Sequence, residues 1–121
     1  MKKLLIAAAA LALAPSMCLA ADMSGAWKVN AAFGDALTFT ITCTLKDDGA
    51  GKLAGPCTDP QGGADVQAAG TVTATNMEWA YDTTYQGSPI HLDYKADIQP
   101  DGSLKGTIDA GGPQGTFTAA K

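Results

Sequence analysis

The sequence predicts an all-β protein in which eight antiparallel strands form an up-and-down meander closed into one small barrel. The strongest evidence is the segment 36–46, where apolar side chains alternate with threonines without a break. A period of two residues belongs to a half-buried strand and not to a helix. Shorter copies of this alternation recur between turn-forming segments, and no segment has helical periodicity. Short strands at regular spacing are typical of antiparallel sandwiches and barrels.

The first four strands are predicted by this alternation and by the turn residues between them. They cover residues 25–32, 36–46, 52–58 and 65–75. Trp27 and Val29 are expected to face inward from the first strand. An Asp-Gly cluster follows the second strand, and an Asp-Pro-Gln-Gly-Gly loop follows the third, both being compositions that favour turns. The fourth strand should direct small or β-branched residues inward, namely Val66, Ala68, Gly70, Val72 and Ala74.

The last four strands are predicted over residues 77–85, 90–98, 103–110 and 115–120. Each is joined to its neighbour by a connection of hairpin size, so each strand is expected to pair with the next. Closing the meander into a barrel would also remove the edge strands that make an open sheet prone to aggregation.

The turn between the fifth and sixth strands sets the predicted partners on the outer face. Gly87 at the first central position indicates a two-residue type II′ hairpin. That register places Asp82 opposite Asp93, Glu78 opposite Asp97, and Thr84 opposite His91. Opposed carboxylates require neutralisation by Ca²⁺, by a shared proton or by a nearby cation. Lys95, diagonal to Glu78 and Asp82, is the simplest of these.

The N-terminal 20 residues have the pattern of a secretory signal peptide. Two lysines precede an apolar run of about 11 residues, and small residues lead to an expected cleavage site after Ala20. The run is shorter than the roughly 20 residues that cross a membrane. Lipidation of Cys18 is the alternative, although Pro15-Ser16-Met17 is a poor lead-in for it. The barrel domain is therefore expected over residues 21–121, in the periplasm or outside the cell.

The charge of the predicted mature chain excludes some classes of partner. Removing Lys2 and Lys3 from the eight basic residues leaves six lysines against twelve acidic residues, and the chain contains no Arg. Nucleic acids and anionic lipid surfaces are bound through basic patches. We therefore expect no nucleic-acid partner and no membrane insertion after signal cleavage.

The mature chain retains two cysteines, Cys43 and Cys57. An even count in an exported chain indicates a disulfide, and pairing the second and third strands about their turn places these cysteines opposite each other. Two reduced core cysteines are the alternative. Too few free cysteines and histidines remain for a zinc site, so no metal or other cofactor is expected.

The motif Gly25-Ala26-Trp27 at the start of the first strand resembles the calycin group, which comprises lipocalins, fatty-acid-binding proteins and avidins. The resemblance implies a small barrel in which Trp27 crosses the closed end, with Lys121 as the basic residue over it. Asp93-Tyr94 faintly resembles a second lipocalin motif, but Leu92 stands where that motif has Thr. The chain also lacks the length and the C-terminal helix of a lipocalin.

The predicted inner face combines small residues with large aromatic ones, which allows two interiors. The core is either filled, with small residues beside large ones, or it leaves a cavity for one small ligand. The predicted lining of such a cavity is Trp79, Tyr81, Tyr85, Tyr94 and Phe39.

The leading hypothesis is an exported barrel that binds an apolar or amphipathic small molecule inside. The alternative is a filled barrel that binds a protein, for example as an inhibitor of an exported hydrolase. His91 is the only histidine, and it is predicted to face outward without a nucleophile motif. No enzymatic activity and no catalytic residue are therefore expected.

Overall fold

A computed structural model describes residues 22–121, which form a closed barrel of eight antiparallel strands. The strands are β1 (Gly25–Phe33), β2 (Leu37–Asp47), β3 (Lys52–Cys57), β4 (Val66–Val72), β5 (Asn76–Tyr85), β6 (Ser88–Ile98), β7 (Leu104–Asp109) and β8 (Gln114–Ala120). Each strand pairs with the next, and β8 pairs with β1. The predicted up-and-down barrel is confirmed. Within this part of the chain no helix has the length and apolar character needed to cross a membrane.

The predicted signal peptide, residues 1–20, and Cys18 lie outside the described residues.

The eight strands follow the predicted alternation of inward and outward side chains. In β2, Ile41, Cys43 and Leu45 are buried, whereas the threonines between them face outward. In β8, Phe117 and Ala119 are buried between exposed neighbours. Across residues 22–121 the buried side chains are hydrophobic, and no charged side chain is buried.

Strand β4 ends earlier than predicted, at Val72 rather than at Thr75. The Thr73 hydroxyl accepts hydrogen bonds from the backbone N–H groups of Thr75 and Asn76, and the Thr73 N–H donates to the Asn76 carbonyl. These local bonds satisfy the backbone in a turn and compete with the sheet ladder. As a result Ala74 is exposed, and its predicted inward position is wrong.

The turn between β5 and β6 also differs from the prediction. Its central residues are Gln86 and Gly87, with φ angles of 53° and 83°, and Tyr85 pairs with Ser88. Two central residues with positive φ make a turn whose twist matches that of the flanking strands. This moves the cross-strand partners by two residues. Glu78 therefore lies opposite Lys95 and Asp82 opposite His91, so the predicted pairs of opposed carboxylates do not form.

A disulfide joins Cys43 on β2 to Cys57 on β3, as predicted. The two residues are register partners with Cα atoms 3.9 Å apart. A Cβ atom on Gly55, two residues before Cys57, would lie 1.9 Å from the Thr44 carbonyl oxygen. The two strands therefore approach closely beside the disulfide, which only glycine permits.

Inward-facing glycines let other strands approach closely, and aromatic rings lie across from them. A Cβ atom on Gly70 would lie 1.8 Å from the Glu78 carbonyl oxygen, and Trp79 is the register partner of Gly70. The backbone at Gly106 approaches β6 equally closely, and its register partner on β8 is Phe117. Glycines covered by aromatic side chains are a device for bending strands into a small barrel.

The closed end of the barrel, where β1 begins and β8 ends, is sealed by the segment before β1. Met23 is buried, and its carbonyl accepts a 2.9 Å hydrogen bond from the Trp27 indole nitrogen. The Lys121 ammonium lies 5.3 Å from the centre of the Trp27 ring and donates a 2.9 Å hydrogen bond to the Ser24 carbonyl. A cation over an indole face is attracted by the ring quadrupole. Lys121 therefore covers Trp27 at this end of the barrel.

Candidate functional site

The opposite end of the barrel, here the open end, contains an apolar cavity of about 240 Å³. It lies where β1, β3, β5 and β7 end and β2, β4, β6 and β8 begin. The lining consists of strand-end side chains and parts of two connections: Phe33, Leu37, Phe39, Pro60, Gln61, Thr83, Thr84, Tyr85, Ile90, Leu92, Ala110 and Pro113. No charged side chain is among them.

The cavity arises because the inward side chains at this end have no further layer above them. Phe39 and Leu37 occupy the first inward positions of β2, and Ile90 and Leu92 occupy those of β6. Phe39, Leu37 and Ile90 are half-buried, although the alternation of their strands directs them inward. At the closed end the equivalent space is covered by the segment that carries Met23.

One wall of the cavity is held in place by Asp59 in the β3–β4 connection. Its carboxylate accepts hydrogen bonds from the Thr83 hydroxyl at 2.9 Å and from the N–H groups of Gln61 at 3.2 Å and Gly63 at 3.0 Å. Desolvation opposes ionisation of Asp59, but these hydrogen bonds together outweigh it and hold its pKa below the ordinary value. The ionised carboxylate thereby fixes Pro60 and Gln61 against β5.

A packed aromatic cluster fills the barrel between the cavity and the closed end. The rings of Trp79 and Tyr94 are stacked with centres 5.0 Å apart, and Phe117 meets both edge-on. Stacked and edge-to-face pairs stabilise beyond the area that they bury. Tyr81 adds a tilted ring, and its hydroxyl is hydrogen-bonded to that of Tyr94.

The paired hydroxyls of this cluster stay protonated at neutral pH. Burial raises the pKa of Tyr81 to about 12, with the hydrogen bond from Tyr94 opposing the shift. Burial also raises the pKa of Tyr94 far above its ordinary value, and the neighbouring Tyr81 adds to the effect. The cluster therefore carries no charge. Among the described residues, the Trp79 indole nitrogen is a buried polar atom without a hydrogen-bond partner.

The structure divides the predicted lining residues between these two features. Phe39 and Tyr85 line the cavity, and Tyr85 is 36% exposed at its rim. Trp79, Tyr81 and Tyr94 belong to the aromatic cluster and are not part of the cavity lining.

Several residues that line the cavity were not predicted from the sequence to do so. They include Phe33 and Leu37, which flank the first tight turn, and Pro60 and Pro113, which lie in connections. The sequence did contain one indication, because Phe33 and Leu37 are both apolar and both lie directly beside a turn. A turn exposed to solvent would be expected to have polar neighbours.

No protein-family model, curated protein or solved structure is significantly similar to this chain. Its function must therefore be inferred from the geometry of its own residues.

The outer face of the barrel carries a cluster of polar side chains centred on His91. Its Nδ1 lies 2.7 Å from an Asp82 carboxylate oxygen, and its Nε2 lies 3.8 Å from Asp93. The hydrogen bond with Asp82 and the charges of both carboxylates raise the pKa of His91. The side chains of Asp82 and His91 are largely solvent-exposed, and that of Asp93 is about half-exposed. In residues 22–121 no group of three or more His, Cys, Asp or Glu side chains is arranged to hold a metal ion.

Proposed function

We propose that this barrel binds one apolar or amphipathic small molecule in the cavity at its open end. The observation that carries the proposal is an uncharged, largely apolar cavity of about 240 Å³ with a solvent-facing mouth. Small-molecule sites are concave and mostly apolar, with a few polar groups at their margin. Here Gln61, Thr83 and Thr84 supply those groups.

The dimensions of the cavity limit the ligand. An apolar protein cavity of about 150 Å³ binds benzene. The cavity of this barrel is larger, so it suits a single ring with a short substituent or an aliphatic chain of about eight carbons. The aromatic cluster beneath the cavity prevents a longer chain from passing through the barrel. The ligand would enter headgroup-last from the open end.

We also propose that the protein acts after export, in the periplasm or outside the cell. The Cys43–Cys57 disulfide is consistent with an oxidising compartment, where such bonds persist. The N-terminal pattern of the sequence supports the same location. The closed end, with Trp27 beneath Lys121, supports a calycin-like barrel as part of this proposal.

The proposal is tested by titrating the mature protein with octan-1-ol, using native mass spectrometry and calorimetry. We expect a single bound molecule. Ala110→Phe, which adds a ring inside the cavity, should weaken binding by roughly tenfold or more because it occupies the ligand's space. The matched control is Ala69→Phe, at an exposed position on β4, which should leave binding unchanged. Equal affinity of all three proteins would place binding elsewhere.

The second candidate is a protein-binding module, and the exposure of Tyr85 at the rim favours it. Tyrosine is enriched among the residues that anchor protein interfaces, and an exposed tyrosine beside a cavity could serve as such an anchor. In that case a partner's side chain would enter the cavity in place of a small molecule. An absence of any octan-1-ol binding, with Ala110→Phe still disrupting a protein complex, would favour this candidate.

A further inference from the structure

Charge is distributed unequally between the two ends of the barrel. All six lysines of the described chain lie in its closed-end half: Lys28, Lys46, Lys52, Lys95, Lys105 and Lys121. Six acidic residues share that half and balance them: Asp22, Asp47, Asp48, Glu78, Asp97 and Asp101. Asp93 lies midway along β6. The net negative charge of the barrel is therefore concentrated toward the open end.

Five carboxylates belong to the open-end half of the barrel by their positions on strands and connections: Asp35, Asp59, Asp65, Asp82 and Asp109. Four of them are close in sequence to lining residues. Asp35 lies in the turn between Phe33 and Leu37, Asp59 precedes Pro60, Asp82 precedes Thr83 and Asp109 precedes Ala110. We refer to these five aspartates as the acidic rim. Among the described residues, His91 lies beside the rim and is hydrogen-bonded to Asp82, and the charge of Lys95 on β6 reaches Asp109.

Two carboxylates of the acidic rim, those of Asp59 and Asp109, have pKa values held below the ordinary value. The backbone N–H groups of Gly112 and Gly111 donate to the Asp109 carboxylate and lower its pKa. The hydrogen bonds to Asp59 lower its pKa in the same direction despite partial burial. A ring of one charge sign around a low-dielectric opening focuses its field on the opening and enriches counter-ions there.

From the cavity and its rim together, we infer that the ligand is an amphipathic cation, with an amine headgroup at the mouth and an apolar body inside. The inference rests on the proposed function and narrows it to one ligand class. An ammonium group at the mouth is attracted by the acidic rim, whereas a carboxylate or sulfate is repelled there. The cavity itself contributes no ion pair because its lining carries no charge. Selectivity therefore comes from the rim and depends on ionic strength.

The test uses three molecules with the same chain and different headgroups: octylammonium, octan-1-ol and octanoate. At low ionic strength we expect octylammonium to bind about tenfold tighter than octanoate, with octan-1-ol between them. At about 0.5 M salt the difference should shrink to roughly threefold or less, because the Debye length falls to a few ångströms and charges farther apart are screened. The affinity of octan-1-ol should not depend on salt.

Matched variants separate the acidic rim from the overall charge. Asp35→Asn with Asp65→Asn removes two rim charges at exposed positions. Glu78→Gln with Asp97→Asn removes the same number from the closed-end half. The preference for octylammonium should fall several-fold in the first pair and be retained in the second. A similar fall in both pairs would attribute the preference to net charge and overturn the inference.

The outcomes for the neutral ligand distinguish the two proposals. If octan-1-ol binds and octylammonium is not preferred over octanoate, the inference about the headgroup is wrong and the proposed function stands. If none of the three molecules binds, the proposed function is wrong and the inference falls with it.

Discussion

Replacing Gly70 by alanine should destabilise the barrel because β4 and β5 approach too closely there for any side chain. The added Cβ atom would lie 1.8 Å from the Glu78 carbonyl oxygen and 2.6 Å from the Trp79 Cα atom. Carbon and carbonyl oxygen ordinarily approach to about 3.3 Å. The two strands must therefore separate locally by about 1.5 Å, a displacement that breaks adjacent ladder hydrogen bonds.

The expected cost follows from these changes. Two lost hydrogen bonds contribute about 0.5–1.5 kcal/mol each, and forcing an extra carbon into a packed region costs about 1–3 kcal/mol. Alanine also reduces the freedom of the unfolded chain, which offsets about 0.4–1 kcal/mol. The net loss is about 1–6 kcal/mol, to be compared with the roughly 5–15 kcal/mol that stabilises a typical domain.

The measurement is urea unfolding of the oxidised mature protein, followed by tryptophan fluorescence. Gly111→Ala is the matched control, because it changes the unfolded chain equally and its Cβ atom would meet nothing within 4 Å. Gly111 has a φ angle of +82°, so alanine there costs about 1–2 kcal/mol of backbone strain alone. If Gly70→Ala were no less stable than Gly111→Ala, the close approach of β4 and β5 would not limit stability.

Three further predictions concern the disulfide, the aromatic cluster and the outer face. Reducing the disulfide, whose cysteines are 14 residues apart, should lower the free energy of unfolding by about 3 kcal/mol; an unchanged melting temperature would contradict this. Tyr94→Phe should cost about 1–3 kcal/mol in urea unfolding because it leaves the buried Tyr81 hydroxyl without a partner, and Tyr81→Phe added to it should cost little more. Asp82→Asn should lower the pKa of His91, followed by NMR of this single histidine. Because folding raises that pKa, the stabilisation is complete below the reference value of 6.5 and is lost as pH rises through the folded-state pKa. The variant should show a weaker dependence, since Asp93 remains beside His91.

Much of the fold could be predicted from local pattern because each strand is half-buried and each connection is short. The alternation in β2 determined which side chains face inward, and an even number of cysteines in adjacent strands indicated the disulfide and its register. The β5–β6 register could not be predicted because it depends on Gln86, a residue other than glycine with positive φ. The partners moved by two residues, so the inward faces were preserved although the cross-strand pairs changed.

The position of the cavity could not be predicted because alternation specifies the direction of a side chain but not the layer above it. Phe39 and Trp79 both face inward, yet Phe39 borders open space and Trp79 is fully packed. The difference is set by strand ends and connections far apart in sequence. Met23 was missed for the same reason, since its burial depends on the segment that crosses the closed end.

The two ends of the barrel differ in how completely their apolar side chains are buried, and this contrast supports the proposed ligand site. Apolar side chains at a strand end are stabilised by about 25 cal/mol for each Å² removed from water. At the closed end Met23 and Trp27 achieve this burial with Lys121 above them. At the open end Phe39 and Tyr85 remain in contact with solvent, and part of that stabilisation is forgone. Incomplete packing at this end, in the half of the barrel where carboxylates outnumber cations, supports the proposed binding site over a poorly filled core.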